Sequence, residues 1–115
     1  MNKMAKQTKE NQNALAELQM LQQRMQVFVA QKQQFQLQML EVENALREVS
    51  ASKGQAYKLI GELLVEKNAQ ELKKELEEKQ KELDLRINAI EKQEKAIKDK
   101  SLELQKTVSE SLKKE

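Results

Sequence analysis

The side chains able to do chemistry in this 115-residue chain are Asp, Glu, Lys, Arg, a few Ser and Thr, and one tyrosine, Tyr57. Carboxylates and lysines act as general acids and bases when a pocket draws them together. Here 21 basic and 19 acidic residues are mixed along the chain, and no spacing concentrates them. There is no histidine and no cysteine. That removes the usual base at neutral pH, the Ser-His arrangements, thiol nucleophiles, disulfides and thiolate zinc sites. The expectation is a protein that is not an enzyme, with no catalytic residue, no cofactor and no metal.

Charge and hydropathy narrow the partners. The net charge is +2, with no clustered basic face, so no nucleic acid is expected. No apolar run approaches the length that spans a bilayer, so no membrane is expected. Lys3, Lys6 and Lys9 are not followed by the apolar stretch of a signal peptide, and the expected location is the cytoplasm. Those lysines alone motivate a weaker alternative, a nucleic-acid accessory protein.

With no proline and only two glycines, little of the chain is expected to be turn. Hydrophobic residues are 38% and charged residues 35%, the composition of long helices that bury one stripe. Residues 8–52 form the first helical segment. Ala14, Leu18, Leu21, Met25, Phe28, Lys32, Phe35, Met39, Val42, Leu46 and Val49 follow one another at spacings of four and three. That is a heptad seam. Lys32 is its one polar member. It either fixes register or snorkels outward between Phe28 and Phe35, and the second reading is preferred. Ten glutamines between Gln12 and Gln38 make a neutral solvated face.

Residues 69–113 form the second helical segment, opened by Asn68 and Glu71 in the pattern of a capping box. Its seam reads Leu72, Leu76, Lys79, Leu83, Ile87, Ile90, Glu94, Ile97, Ser101, Leu104 and Val108, with a stutter between Lys79 and Ile87. Glu75–Lys79, Glu77–Lys81, Glu91–Lys95 and Glu94–Lys98 are i,i+4 pairs in the favourable order. Two arms of similar length predict an antiparallel two-helix coiled coil with both chain termini at one tip.

Residues 55–67 interrupt this pattern. Tyr57, Leu59, Gly61, Leu63 and Val65 alternate onto one face of an extended chain, with Ile60 and Leu64 between them. Gly61-Glu62 suits a two-residue type II′ turn, and Gly54 suits a helix cap. Helical continuation is the competing reading, because Leu59, Ile60, Leu63 and Leu64 also fit helical spacing. A lone β-hairpin is marginal in water. If the hairpin forms, its open edges are expected to pair with other copies, making residues 57–65 an oligomerisation device.

Tyr57-Lys58-Leu59-Ile60-Gly61 followed by Leu63-Leu64-Val65, set between two heptad arms, resembles a β-class prefoldin subunit of the archaeal type. The glutamine-rich first arm and the stretch Arg86 to Glu94 resemble the same family, and the resemblance covers roughly residues 10 to 112. It implies a mainly α fold: one prefoldin-like domain over residues 1–115, a long antiparallel coiled coil whose central β-hairpin joins an oligomeric β-barrel platform. It implies a heterohexamer of two α-class and four β-class subunits. Its function would be that of an ATP-independent chaperone, a holdase that grips unfolded client proteins at the coiled-coil tips and delivers them to a group II chaperonin.

The candidate client-binding residues are Leu15, Leu18, Met20, Leu21 and Met25 on the first arm, and Ile97, Leu102, Leu104, Val108 and Leu112 on the second. Not all fit one narrow seam, and Ser101, Ser109 and Ser111 dilute the packing there. Methionine adapts to irregular partners. The competing reading makes these ordinary seam residues at a frayed end. The alternative function is a structural coiled-coil scaffold or tether without client binding.

Overall fold

The computed structural model describes residues 2–51, 55–60 and 63–113, with side-chain surroundings for residues 9–51 and 68–112. Helix α1 runs Asn2–Ala51, strand β1 Gln55–Ile60, strand β2 Leu63–Asn68 and helix α2 Ala69–Lys113. Helix α1 thus starts ahead of the expected residue 8. It has no acidic residue in its first turn and no basic residue in its last, so nothing offsets its macrodipole. Its stability comes from packing a stripe.

Helix α2 starts with a defined cap. The backbone N–H of Gln70 donates to Asn68 Oδ1 at 2.8 Å, which satisfies one of the orphan donors of the first turn. Asn68 also ends β2, and an N-cap needs the extended backbone that a strand's last residue already has. Glu71 adds the acidic residue favoured in a first turn.

The chain divides into two units. One contains residues 32–89. Val42, Ala69, Leu72, Leu83 and Ile87 are buried in it, and Lys32, Phe35, Met39, Leu46, Val49, Leu76 and Gln80 are half-buried. Its two helical stretches are antiparallel: β1 pairs with β2 from Gln55↔Asn68 inward, and further along Arg86 lies over the Phe35 ring, 5.6 Å from its centroid. Arg86 also donates through Nη2 to Glu82 Oε1 at 2.8 Å, one turn back. Both partners of that ion pair are more than half exposed, so it contributes about 0.3–0.5 kcal/mol, and the contact with Phe35 about 0.5–1 kcal/mol.

The other unit contains residues 1–31 and 90–115. Ala14, Leu21, Ile90 and Ile97 are buried, and Leu18, Met25, Phe28, Glu94, Ser101, Leu104 and Val108 are half-buried. All eleven seam positions expected in the first arm are therefore buried or half-buried along α1. In α2 one position moves. Lys79 is exposed and Gln80 takes its place, so the two consecutive fours fall at Leu72, Leu76 and Gln80. The stutter sits one heptad earlier than the spacing of apolar residues suggests. A lysine costs more to desolvate than a glutamine, and a stutter leaves two adjacent residues equally near the seam.

The fold class expected from the sequence is corrected at its centre. The described residues hold one antiparallel strand pair at the centre and no barrel platform. They are overwhelmingly two long helices, and the strands between them make a two-stranded sheet, order β1-β2, paired only with each other. A barrel requires a sheet closed on itself, which two strands of this length do not provide. The alternation of residues 57–65 specifies local extension but carries no information about what meets the edges. Ile60 pairs with Leu63. Gly61 and Glu62, where a type II′ turn was expected, lie outside the described residues, as does Gly54.

Two stability measurements check this account at fixed protein concentration. Asn68→Ala lowers unfolding free energy in urea by about 1 kcal/mol. Gln80→Leu raises the thermal midpoint because it extends the apolar stripe, whereas Lys79→Leu leaves it nearly unchanged; equal effects at the two positions would refute the relocated stutter.

Candidate functional site

A seam between two helices buries only a stripe, and among the described residues the most buried, Leu83, is still 4% exposed. Apolar residues off the stripe have nowhere to go. In the unit that carries both chain termini, Leu15 (52%), Met20 (51%), Val27 (56%), Leu102 (56%) and Leu112 (60%) are exposed. Counted from the seam, each falls on a flank or outer position of its helix.

The ten tip residues named from the sequence divide into three kinds. Leu15, Met20, Leu102 and Leu112 are exposed and available to a partner. Leu18, Met25, Leu104 and Val108 are half-buried at the edges of the seam. Leu21 and Ile97 are each 7% exposed and hold the helices together. The assembly residues Tyr57, Leu59, Ile60, Leu63, Leu64 and Val65 lie in β1 and β2, but their side chains, and all of Gly61, lie outside the described residues.

Sequence reasoning missed Val27 in this unit, and Leu37, Leu40 and Leu85 in the other, all more than half exposed. The signal was present: each is a large apolar residue out of step with the four-three spacing.

Two grooves run along the helical pairs. One, of about 420 Å³, is lined in the terminal unit by Met20, Gln23, Arg24, Val27 and Phe28 of α1 and by Gln93 and Ile97 of α2. The other, of about 500 Å³, is lined in the strand-bearing unit by Gln36, Met39, Leu40, Glu43, Gln80, Lys81, Asp84 and Ile87. Both are open. Among the described residues no group of three or more carboxylates is placed to hold a metal ion, and no helix is long and apolar enough to cross a membrane. Chemically, the surface offers apolar contact and amide hydrogen bonding.

This is the architecture of a helical-pair protein. The family model for prefoldin subunits matches residues 2–115. Prefoldin subunit beta of Methanothrix thermoacetophila is 41% identical over 103 residues, 88% of this chain and 86% of that protein. Prefoldin subunit beta of Thermococcus kodakarensis is 37% identical over 103 residues, 88% of each. The crystal structure of the prefoldin beta subunit from Thermococcus strain KS-1 superposes with a TM-score of 0.83 at 36% identity, covering 89% of this chain and 91% of that one. The chain belongs to the prefoldin family, in its beta class. Membership implies a chaperone-type function carried out among other prefoldin subunits; family members are not known enzymes.

The division of the tip residues is open to measurement. Ile97→Ala removes a buried seam side chain and costs about 2–5 kcal/mol, while Leu102→Ala, on the exposed side, changes stability by less than about 0.5 kcal/mol. Urea unfolding followed by circular dichroism reads both.

Proposed function

We propose that this chain is the β-class subunit of an ATP-independent holdase. It assembles with an α-class prefoldin subunit into a heterohexamer of two α-class and four β-class chains. Its client is a non-native protein, bound by the unit that carries both chain termini and passed to a group II chaperonin. Residues 1–115 act as one domain, and the complex works in the cytoplasm.

The observation that carries this reading is the exposure of Leu15, Met20, Leu102 and Leu112, together with Val27, in the unit that carries both chain termini. An unfolded protein differs from a folded one by displaying apolar side chains to water. Single exposed apolar residues bind weakly, but several subunits acting on one client multiply their effect through effective concentration. A weak, multivalent grip suits a holdase, which must also let go. Met20 adds a flexible, polarisable contact that tolerates irregular clients. With glycine only at 54 and 61, the sequence has no glycine-rich phosphate-binding loop, in keeping with a cycle that does not spend nucleotide.

The test is to co-assemble the chain with an α-class subunit, weigh the complex by light scattering and add it to a denatured enzyme whose aggregation is followed by turbidity. The wild-type complex slows aggregation. A complex carrying Leu15→Ser, Met20→Ser, Leu102→Ser and Leu112→Ser keeps its mass and loses most of that protection. Co-assembly without any protection by the wild type would instead favour the tether.

A further inference from the structure

Client binding leaves the groove of the strand-bearing unit unused. Its rim is Gln36, Leu40 and Glu43 of α1 with Lys81 and Asp84 of α2, and Leu40 is 54% exposed. The relocated stutter falls in it, because Gln80 lines it, and a stutter locally unwinds a helical pair. Arg47 follows Leu40 and Glu43 at spacings of three and four, and Glu77 precedes Lys81 and Asp84 at spacings of four and three. Each therefore extends the same ridge of its own helix. Charge alternates turn by turn along both ridges: Glu43 then Arg47 on α1, and Glu77, Lys81 then Asp84 on α2. Glu77 and Lys81 stand one turn apart. Yet among the described residues none of these five meets an opposite charge, whereas Glu82 pairs with Arg86 and Lys100 with Glu103.

We propose that this flank is a contact surface for a second copy of this chain, lying parallel to the first in the assembled complex, with Glu43 against Lys81 and Arg47 against Glu77 of the other copy. This rests on the assembly part of the proposed function, several copies of this chain in one complex, and not on client binding.

The occupant follows from level and charge. The helical stretches of this unit are antiparallel, and the groove fixes which turns are level: residues 36–43 of α1 with residues 80–87 of α2. A two-fold axis running along the pair sets α2 of a second copy over α1 of the first at those same levels. Glu43 then meets Lys81 of the second copy, and one turn on Arg47 meets Glu77. The axis repeats both pairs. Leu40 lies over the turn between Lys81 and Asp84, where the methylene stem of the lysine offers apolar cover. The register is specified as well. A slip of one turn in either direction sets Glu43 against Glu77 or Asp84, and Arg47 against Lys74 or Lys81, like against like. A partner carrying one sign of charge would meet as many like charges as opposite ones, so the alternating pattern favours its own copy. Exposed ion pairs are individually weak. The contact therefore forms where assembly already holds copies side by side and raises their effective concentration.

The chain has no cysteine, so Gln36→Cys creates a unique thiol in the groove. The chain labelled there with pyrene maleimide is assembled with an α-class subunit, and the mass of the complex is measured by light scattering. Labels on two copies meet across the axis and give excimer fluorescence; the same label at Glu41→Cys, on the other flank of α1, gives none. Lys81→Glu lowers the excimer-to-monomer ratio severalfold, and rising salt lowers it in the same direction. Glu43→Lys combined with Lys81→Glu restores it, because the swapped charges are again opposite. Circular dichroism and complex mass stay at wild-type values throughout, since each substituted charge lies on the outside of the pair. A complex of full mass without excimer overturns the inference and leaves the assembly reading intact. So does an excimer that ignores Lys81→Glu, or one equally strong from Glu41→Cys. A label at position 36 that gives no excimer but is shielded from a soluble quencher assigns the flank to the α-class subunit and overturns the second copy as its occupant. A complex whose mass holds a single copy of this chain overturns both the inference and the assembly reading.

Discussion

Everything in this protein depends on the limited reach of a two-helix seam. Side chains spaced four and three apart meet along a stripe, and the stripe is all that is taken from water. Even Leu83, Val42 and Leu21 keep 4–7% of their surface exposed. A globular domain hides its surplus leucines in a second layer; a helical pair has none. Large apolar residues out of step with the heptad, such as Leu15, Leu37 and Leu85, are therefore held at the surface by the same packing that makes the fold stable. Exposure that would be a liability in most proteins is here a fixed consequence of architecture.

The two helices divide the work. Helix α2 is capped by Asn68, charged along its outer face and supported locally by pairs such as Glu82 with Arg86. Helix α1 lacks charges at either end that would offset its dipole and carries a long uncharged face. One helix thus supplies solubility and local stability, the other a surface of amides and apolar side chains. Arg86 lying over Phe35 joins them in the strand-bearing unit. Because a guanidinium keeps its charge toward water while covering a ring, that contact closes the seam's edge without burying a charge.

Much of this was legible beforehand. The α1 seam could be read residue by residue because ten of its eleven members are apolar, and burial of an apolar side chain is what the spacing encodes. Asn68 was legible because capping is a local interaction over two residues. One seam position was misplaced by one residue, which put the stutter one heptad too late: apolar spacing cannot rank Lys79 against Gln80 when neither is apolar, and only the neighbouring helix decides. The expected barrel platform was not legible for a deeper reason. Alternation between residues 57 and 65 reports how the chain extends, and sheet closure depends on edges that one chain's sequence does not describe.

By itself, then, the sequence determined the class of protein, the helices, the line along which they zip and the absence of thiol and imidazole chemistry, because each follows from residue type and short-range spacing. The tertiary structure decided how deeply each seam residue is covered and which of Lys79 and Gln80 enters the seam. Leu18 and Leu21 are both seam leucines, three positions apart; one is half-buried and the other only 7% exposed. That difference is set by where the second helix lies against the first, a relation between residues about seventy to one hundred apart in the chain.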